Sequence, residues 1–162
     1  MIAVADASPL NYLVLAGAVE VLAPLYTRVL VPRTVVEELL RAGTPVAVRT
    51  WITRPPGWIE ILPDPPLDPT LATLDAGERA AIALALSLHA DVLLIDDWDG
   101  RAEAVRRHLR VTGTLGVLAN AHRHRLVNFE NALARLRQTN MYLSPELIDL
   151  VRRSLPSQKK KQ

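Results

Sequence analysis

Acidic residues border apolar segments at four places along this sequence. They are Asp6, Glu38, Glu78 and the adjacent pair Asp96 and Asp97. Asp6 and Asp96 each follow a short apolar run directly, as residues at the end of a buried strand do. Because the carboxyl ends of parallel strands share one edge of a sheet, we expect these acids to meet at that edge. Carboxylates gathered there repel one another unless a cation neutralises them, and a set of oxygen ligands suits Mg²⁺ or Mn²⁺. The pattern therefore predicts a metal-dependent hydrolase of phosphodiester bonds.

Each of these acids also has a simpler structural explanation. Glu38 lies on a predicted helix, where an exposed glutamate is common, and an acid such as Glu78 in a first helical turn stabilises the helix dipole. Gly77 beside it indicates that another group packs closely against this turn. The Asp96–Asp97 pair is the most specific feature, because two adjacent acids after an apolar strand are not expected to be needed for folding. Consecutive strand residues face opposite sides of a sheet, so the spacing leaves open which of the two would bind a metal.

The order of predicted strands and helices determines how the acids are positioned. Strands are expected at residues 2–5, 28–31, 58–62, 91–95 and 110–112, and helices at 8–17, 19–25, 32–43, 45–52, 75–89, 100–109, 113–123, 129–137 and 145–155. Ser8 is expected to cap the first helix, and residues 63–73, with four prolines, to form a surface loop. Strands that alternate with helices predict an α/β fold, a three-layer α/β/α sandwich with a central, mainly parallel sheet.

Composition excludes several other classes of protein. A chain of 162 residues is about one domain, and the absence of cysteine rules out disulfides and thiolate metal sites and fits a reducing cytoplasm. No apolar run reaches the ~20 residues that span a bilayer, so we expect a soluble cytoplasmic protein without membrane contact. All lysines lie in the run Lys159–Lys161. Receiver domains, haloacid-dehalogenase-type phosphatases and P-loop proteins normally need a lysine near the phosphoryl group, which argues against all three.

Positive charge in the body of the chain comes from arginine alone. Four arginines lie close together near the last predicted strand: Arg101, Arg106, Arg107 and Arg110. This cluster is equally consistent with a phosphate-binding surface and with a solvated helix face, because an acidic site needs nearby cations to admit a nucleic-acid backbone.

Five short motifs in a fixed order identify a family resemblance. They are Asp6-Ala7-Ser8-Pro9-Leu10, Pro32-x-x-Val35-x-x-Glu38-Leu39, Gly77-Glu78-x-x-Ala81-Ile82-x-Leu84-Ala85, Leu94-Ile95-Asp96-Asp97 and Gly113-Thr114-Leu115-Gly116. The chain resembles PIN-domain proteins, in particular the VapC-like toxin ribonucleases of prokaryotic toxin–antitoxin pairs. The resemblance covers residues 1–125, which would form the nuclease domain. Residues 126–156 resemble a C-terminal helical extension found in one branch of the family, and residues 157–162 would be a disordered basic tail.

The resemblance implies a ribonuclease that depends on Mg²⁺ or Mn²⁺. Carried over by position, Asp6, Glu38, Glu78 and Asp97 would be catalytic; Asp6, Glu78, Asp96 and Asp97 would bind metal; and Ser8 and Thr114 would contact the substrate. From the arginine cluster, Arg101 is also expected to contact the substrate. The expected partners are an RNA substrate, a cognate antitoxin protein and a second copy of the chain in a homodimer.

Two departures from the family pattern accompany the resemblance. Glu78 stands where many members have aspartate, and Ile95-Asp96-Asp97 replaces the more usual Thr-x-Asp. The alternative hypothesis is therefore a catalytically inactive member that binds RNA or a protein partner. A phosphatase of small substrates is a third hypothesis, which the lack of lysine disfavours.

Overall fold

The structure, a computed structural model, describes residues 1–156. The basic tail predicted at residues 157–162 lies outside the described part of the chain.

Five parallel strands form the centre of the described chain. They are β1 (Ile2–Ala5), β2 (Arg28–Pro32), β3 (Ile59–Leu62), β4 (Val92–Leu94) and β5 (Val111–Thr112). Their order across the sheet is β3-β2-β1-β4-β5, so β1 is central. Strands β2 and β3 are added on one side of β1, and β4 and β5 on the other, so the strand order reverses between β1 and β4. Ala5 lies opposite Leu94 in the register of these two strands. In open parallel sheets such a point of reversal leaves a crevice at the carboxyl ends of the strands, where ligands bind.

The central strand is apolar on both faces because helices cover both sides of the sheet. Ala3, Val4 and Ala5 are all fully buried. Ala3 and Ala5 belong to one apolar core, and Val4 belongs to the other on the opposite face. A strand buried on both faces reads as a continuous apolar run, which is the pattern that predicted β1 and β4.

Nine helices occur within residues 1–156. They are α1 (Ala7–Leu15), α2 (Leu22–Leu25), α3 (Arg33–Leu39), α4 (Val46–Thr53), α5 (Ala76–Ser87), α6 (Trp98–Arg106), α7 (Thr114–Arg123), α8 (Phe129–Leu136) and α9 (Pro145–Ser154). Apolar side chains of α5 and α6 fill the core on one face of the sheet, and those of the other helices fill the larger core on the opposite face. The predicted three-layer α/β/α fold is confirmed. No helix in this part of the chain has the length and apolar character to cross a bilayer.

The start of α1 differs from the sequence prediction. Ser8 was expected to cap this helix, but the helix begins at Ala7 and its N-cap residue is Asp6, whose side chain makes no capping hydrogen bond. The Ser8 hydroxyl instead donates to Asp96 at 2.7 Å. A serine–proline pair is a common helix start, yet here the strand passes into the helix without an intervening loop, which places Ser8 inside the first turn.

Two other local differences arise from aspartate caps, at Asp97 and at Asp68. α6 begins at Trp98, two residues before the predicted start, because the Asp97 side chain accepts a hydrogen bond from the Gly100 N–H at 3.0 Å. The loop predicted at residues 63–73 contains a short 3₁₀ turn, Pro69–Leu71. An aspartate whose side-chain oxygen takes a free N–H stabilises the first turn of a helix.

The last two helices pack against the rest of the molecule. α8 contacts α1 and α7, and α9 contacts α7. Phe129 at the start of α8 is fully buried in the larger core. Arg152 on α9 donates to Glu130 on α8 at 2.7 Å. Between the two helices, Asn140 accepts a hydrogen bond from the Tyr12 hydroxyl of α1 at 2.9 Å, which ties this segment to the helix that follows β1.

Candidate active site

The acids predicted from the sequence line one cleft at the carboxyl ends of β1 and β4. The cleft has a volume of about 1420 Å³, and its lining includes Asp6, Glu38, Asp75, Glu78, Asp96 and Asp97, together with Ser8 and Arg101. The backbone N–H of Asp6 donates to the Leu94 carbonyl at 2.9 Å, so the first acid is fixed directly to the end of β4. The acidic cleft therefore lies at the point where the strand order reverses, between β1 and β4.

Asp6 is the most buried of these acids. Its side chain lies at the end of β1 with 5% of the residue exposed, and its Oδ1 atom is buried without a hydrogen-bond partner. Burial raises the pKa of Asp6 to about 7, and the negative charges of Glu38, Asp75 and Asp96 add to the rise. A buried carboxylate oxygen without a partner is costly. Such an atom indicates a position that favours a cation or a proton.

Glu78 lies in the first turn of α5, where the Asp75 side chain caps the helix. The Glu78 N–H donates to Asp75 Oδ1 at 2.9 Å. Burial raises the pKa of Glu78 to about 8, and the charges of Asp75 and Asp97 act in the same direction. The ionised form of Glu78 is therefore disfavoured at this position unless a cation lies beside it.

Asp75 was not predicted from the sequence as a site residue, although it lines the same cleft as the other acids. Its position three residues before Glu78 is the usual signal of a helix cap, and that signal explains the residue fully at the level of the sequence. Only the fold reveals that the cap also lines the cleft.

Glu38 reaches the cleft from α3, whereas its neighbour Glu37 is exposed. The Glu38 side chain is 28% exposed and its Oε1 lies 3.9 Å from the Arg41 guanidinium. Burial raises the pKa of Glu38, Asp75 raises it further, and Arg41 opposes both effects. The helical period predicted this difference between the two glutamates.

Gly77 keeps space open between α5 and the other acids. A Cβ atom at this position would lie 2.9 Å from Glu38 Oε2 and 3.5 Å from Asp6 Oδ1. The close approach predicted from this glycine is present, and the groups that approach are two of the candidate ligands. A side chain at residue 77 would occupy the space that both carboxylates border.

Asp96 and Asp97 have different roles in the structure. Asp96 accepts three hydrogen bonds, each of 2.7 Å, from the Ser8 hydroxyl, the Thr114 N–H and the Thr114 hydroxyl. Asp97 caps α6 and lies close enough to raise the pKa of Glu78. Both acids thus contribute to local structure, contrary to the expectation that neither is needed for folding.

Thr114 was expected to contact substrate, but its side chain is fully buried. Its hydroxyl and its N–H both donate to Asp96, so neither faces the cleft. Gly113 explains why this contact is possible, because a Cβ there would lie 2.9 Å from Asp96 Oδ1. Thr114 therefore holds Asp96 in place. Ser8 also donates to Asp96, yet it does line the cleft.

The arginine cluster divides into two groups. Arg101 lines the cleft, and its guanidinium donates to the Ile95 carbonyl at 3.3 Å. Arg106 and Arg107 point elsewhere and pair with Glu103 at 2.9 Å, and Arg107 also pairs with Asp68 at 3.0 Å. Arg110 does not line the cleft either, so Arg101 alone of the predicted cluster is placed to meet a ligand there.

The residues present suit a hard divalent cation in their chemistry. All the candidate ligands are carboxylates, the ligands that Mg²⁺ and Mn²⁺ prefer, and Asp6 Oδ1 has no other partner. However, within residues 1–156 no three acidic or histidine groups converge closely enough to hold one ion. Burial, and to a lesser extent repulsion from neighbouring acids, raises the pKa of Asp6 and of Glu78, so negative charge is costly at both positions when no cation is present. The donor set fits a metal, while the carboxylates themselves lie spread along the cleft.

Comparison with known proteins shows to which family the chain belongs. The family model described as "DUF3368: PIN domain" matches residues 2–157. Among solved structures, a PilT N-terminus domain protein, SSO1118, from the archaeon Sulfolobus solfataricus P2 is similar, with 17% identity and a TM-score of 0.51. The alignment covers 89% of this chain and all of that one, and at this identity it supports the fold alone. No curated protein matches the sequence. PIN domains are typically nucleases and generally use divalent metal ions. Because the family model covers nearly the whole chain, the protein belongs to the PIN-domain family.

Proposed function

We propose that this protein is a divalent-metal-dependent endoribonuclease and the toxin of a toxin–antitoxin pair. The observation on which this rests is the Asp6 carboxyl group. Its Oδ1 is buried without a hydrogen-bond partner, and other acids surround it at the point where the strand order reverses. A fold that needed only stability would satisfy this atom or replace it.

Asp6, Glu38, Glu78 and Asp97 are the residues that would hold Mg²⁺ or Mn²⁺. When bound, such an ion would lower the pKa of a water molecule and stabilise negative charge on the phosphodiester. Asp96 differs from these four, because both of its oxygens already accept hydrogen bonds from Ser8 and Thr114. We therefore assign Asp96 to positioning Ser8 and the start of α7.

The chain's own groups also provide proton transfer at the cleft. Glu38 is partly exposed and its pKa is raised by burial, so its carboxylate is a better base than an ordinary surface glutamate. Because it lines the cleft and is partly exposed, it is the acid that we expect to accept a proton from a water molecule there. Arg101 provides the positive charge in this lining that can contact a phosphate.

A catalytically inactive, RNA- or partner-binding PIN domain is the second candidate. The observation that favours it is the lack, within the described residues, of three acids close enough to hold an ion. In this case Asp6 and Glu78 would each hold a proton in place of a shared metal ion, as their raised pKa values allow. The cleft would then act only as a binding surface.

The resemblance to VapC-like proteins supports the remaining parts of the proposal. They are a cognate antitoxin, a homodimer and a location in the cytoplasm. The toxin role predicts that expression of the chain alone arrests growth and that a substitution at Asp6 relieves the arrest.

Cleavage of RNA by the purified protein tests the proposed activity. We expect cleavage with Mg²⁺ or Mn²⁺, none with EDTA, and a loss of roughly 100-fold or more in Asp6→Asn and Glu38→Gln, since removing one group that acts on the reacting atoms typically costs 10²–10⁴ in rate. Glu37→Gln is the matched control, because Glu37 neighbours Glu38 on α3 but is exposed. Full activity of Asp6→Asn at an unchanged melting temperature would contradict the site. Absence of metal-dependent cleavage would favour the binding module.

A further inference from the structure

Two exposed aromatic side chains stand in the lining of the acidic cleft. Trp98 is the first residue of α6 and is 82% exposed; Tyr142 lies between α8 and α9 and is 83% exposed. Both line the same cleft as Asp6 and Glu38. They differ from other aromatic residues of the chain: Trp51 and Trp58 pack against each other with ring centroids 6.3 Å apart.

Local structure fixes both aromatic residues beside the acids. Trp98 directly follows Asp97, whose side chain caps α6, so the backbone that bears the indole is fixed at the same turn as a candidate ligand. Large aromatic side chains favour burial by a few kcal/mol. Leaving two of them in water around one cleft gives no stability to the fold, which indicates that they contact a ligand.

The segment that bears Tyr142 is also held in place. Asn140 accepts a hydrogen bond from the Tyr12 hydroxyl at 2.9 Å, and Ser144 caps α9 by accepting from the Leu147 N–H. Residues 138–142 all line the cleft and therefore form part of its wall. This wall and the adjoining helix α1 present amide side chains at Asn11, Gln138 and Asn140, which have donors and acceptors for base edges.

The size and charge of the cleft favour recognition of bases over recognition of phosphates. Its volume of about 1420 Å³ exceeds the roughly 300–1000 Å³ of most small-molecule sites and suits a segment of an extended polymer. The described lining residues include six acids but one arginine, Arg101. Backbone charge alone would be a weak source of affinity here, whereas stacking of bases on aromatic rings does not depend on net charge.

We propose that Trp98 and Tyr142 stack the bases of an unpaired nucleic-acid strand in the cleft that the acids line. The inference rests on the proposed function for the chemistry at the acids, and it assigns two residues that select single strands. Bases of a duplex are already stacked on each other, so paired substrate would not gain these contacts. The pair of rings would hold one strand extended across the cleft.

Binding of short labelled oligonucleotides tests the assignment. Fluorescence anisotropy with an end-labelled RNA octamer is measured in Ca²⁺, with a gel to check that the RNA stays intact. We expect Trp98→Leu and Tyr142→Leu each to weaken binding roughly 5- to 150-fold, the range that alanine substitution of a base-stacking residue gives. Trp98→Phe keeps a ring and is expected to retain most of the affinity. Leu67→Ala is the control, because Leu67 is 88% exposed and does not line the cleft.

Three ligands complete the experiment: the single-stranded RNA, a single-stranded DNA of the same sequence, and the RNA duplex. Stacking predicts that both single strands bind and that the duplex binds at least tenfold more weakly. Equal affinity for duplex and single strand, or wild-type affinity in both leucine variants, would overturn the proposal. A change in oligomeric state of those variants with RNA binding intact would assign the rings to a protein contact, and would also overturn it.

The outcome is separable from that of the ribonuclease proposal. If no metal supports cleavage but single strands bind in a Trp98-dependent manner, the ribonuclease proposal fails and the stacking assignment stands. If Asp6-dependent cleavage occurs while both leucine variants bind and cut as the wild type does, the ribonuclease proposal stands and the stacking assignment fails.

Discussion

Asp96 and Asp97 are adjacent in sequence but have different surroundings, and this difference separates a structural role from a chemical one. Asp96→Asn places an NH₂ group where an oxygen now accepts from Ser8 or Thr114. We expect this change to lower the free energy of unfolding by about 1–3 kcal/mol, the cost of an unsatisfied buried donor. Asp97→Asn keeps a good N-cap for α6. It should leave stability nearly unchanged and reduce metal-dependent cleavage.

Urea unfolding and cleavage assays on the two asparagine variants provide the measurement. We expect Asp96→Asn to lose mainly stability. Asp97→Asn should lose cleavage while its stability stays unchanged. Equal, mild effects of both substitutions on cleavage would argue that neither residue is a ligand.

The raised pKa values of Asp6 and Glu78 predict how stability depends on pH without metal. Asp6 has a folded-state pKa of about 7 against an ordinary 3.8, and Glu78 about 8 against 4.5. The folded state thus binds these protons more tightly than the unfolded state does. Their contribution to stability is complete below the unfolded-state pKa values and is lost as the pH rises through about 7 to 8.

We therefore expect the free energy of unfolding in EDTA to fall between about pH 5 and pH 8, by up to about 1.4 kcal/mol per pH unit for each proton. Asp6→Asn cannot titrate at this position and should show a shallower slope, whereas the exposed-residue control Glu37→Gln should follow the wild type. The same slope in wild type and Asp6→Asn would show that Asp6 is ionised in the folded protein at neutral pH.

At the scale of single elements, the first turn of α5 determines how close the acids come. Gly77→Ala adds a methyl group 2.9 Å from Glu38 Oε2. Alanine also favours a helix over glycine by up to about 1 kcal/mol. Because the Glu38 carboxylate is the flexible end of a partly exposed side chain, it can turn away. We expect unchanged or slightly higher stability and a loss of both cleavage and metal affinity.

Thermal unfolding and metal titration of Gly77→Ala test this expectation. Gly57→Ala is the control for removal of a glycine, because a Cβ at residue 57 would meet nothing within 4 Å. Wild-type metal affinity in Gly77→Ala would mean that Glu38 takes no part in the site.

The elements themselves were predictable from local patterns, whereas several contacts of the site were not. Apolar runs and helix-stop signals located all five strands. The ends of β1 and β4 located Asp6 and the Asp96–Asp97 pair. The second role of Asp75 and the burial of Thr114 depend on which elements meet in space. No local signal distinguishes a helix cap that lines a cleft from one that faces solvent.

At the scale of the whole molecule, the C-terminal helices are part of the same packed body as the sheet. Phe129 and Leu133 of α8 are buried in the larger core, and the Arg135 guanidinium donates to the Ala16 carbonyl at 3.2 Å. The segment between α8 and α9 forms one wall of the acidic cleft. Residues 126–156 thus contribute to the shape of the site as well as to the core, and the family model extends over them.

The response of the whole molecule to metal distinguishes a metal site from an acidic surface. An ion that binds only the folded acids stabilises the protein by about 2.7 kcal/mol at a free concentration ~100 times the dissociation constant. For a chain of this size that is a rise in melting temperature of roughly 5–11 °C. Glu78→Gln and Asp6→Asn should melt higher than the wild type in EDTA, because each removes a carboxylate whose negative charge is disfavoured by burial and by its acidic neighbours, and both should gain less from Mn²⁺.

Glu37→Gln at the same ionic strength controls for unspecific binding to surface acids, and it should gain as much from Mn²⁺ as the wild type does. Mg²⁺ and Ca²⁺ titrations separate a selective site from general screening of charge, which affects all variants alike. If the wild type melts at the same temperature with and without Mn²⁺, the acids do not gather around a cation. The protons indicated by the raised pKa values of Asp6 and Glu78 would then be the native occupants of the cleft, and the non-catalytic binding module would be the better account of the protein.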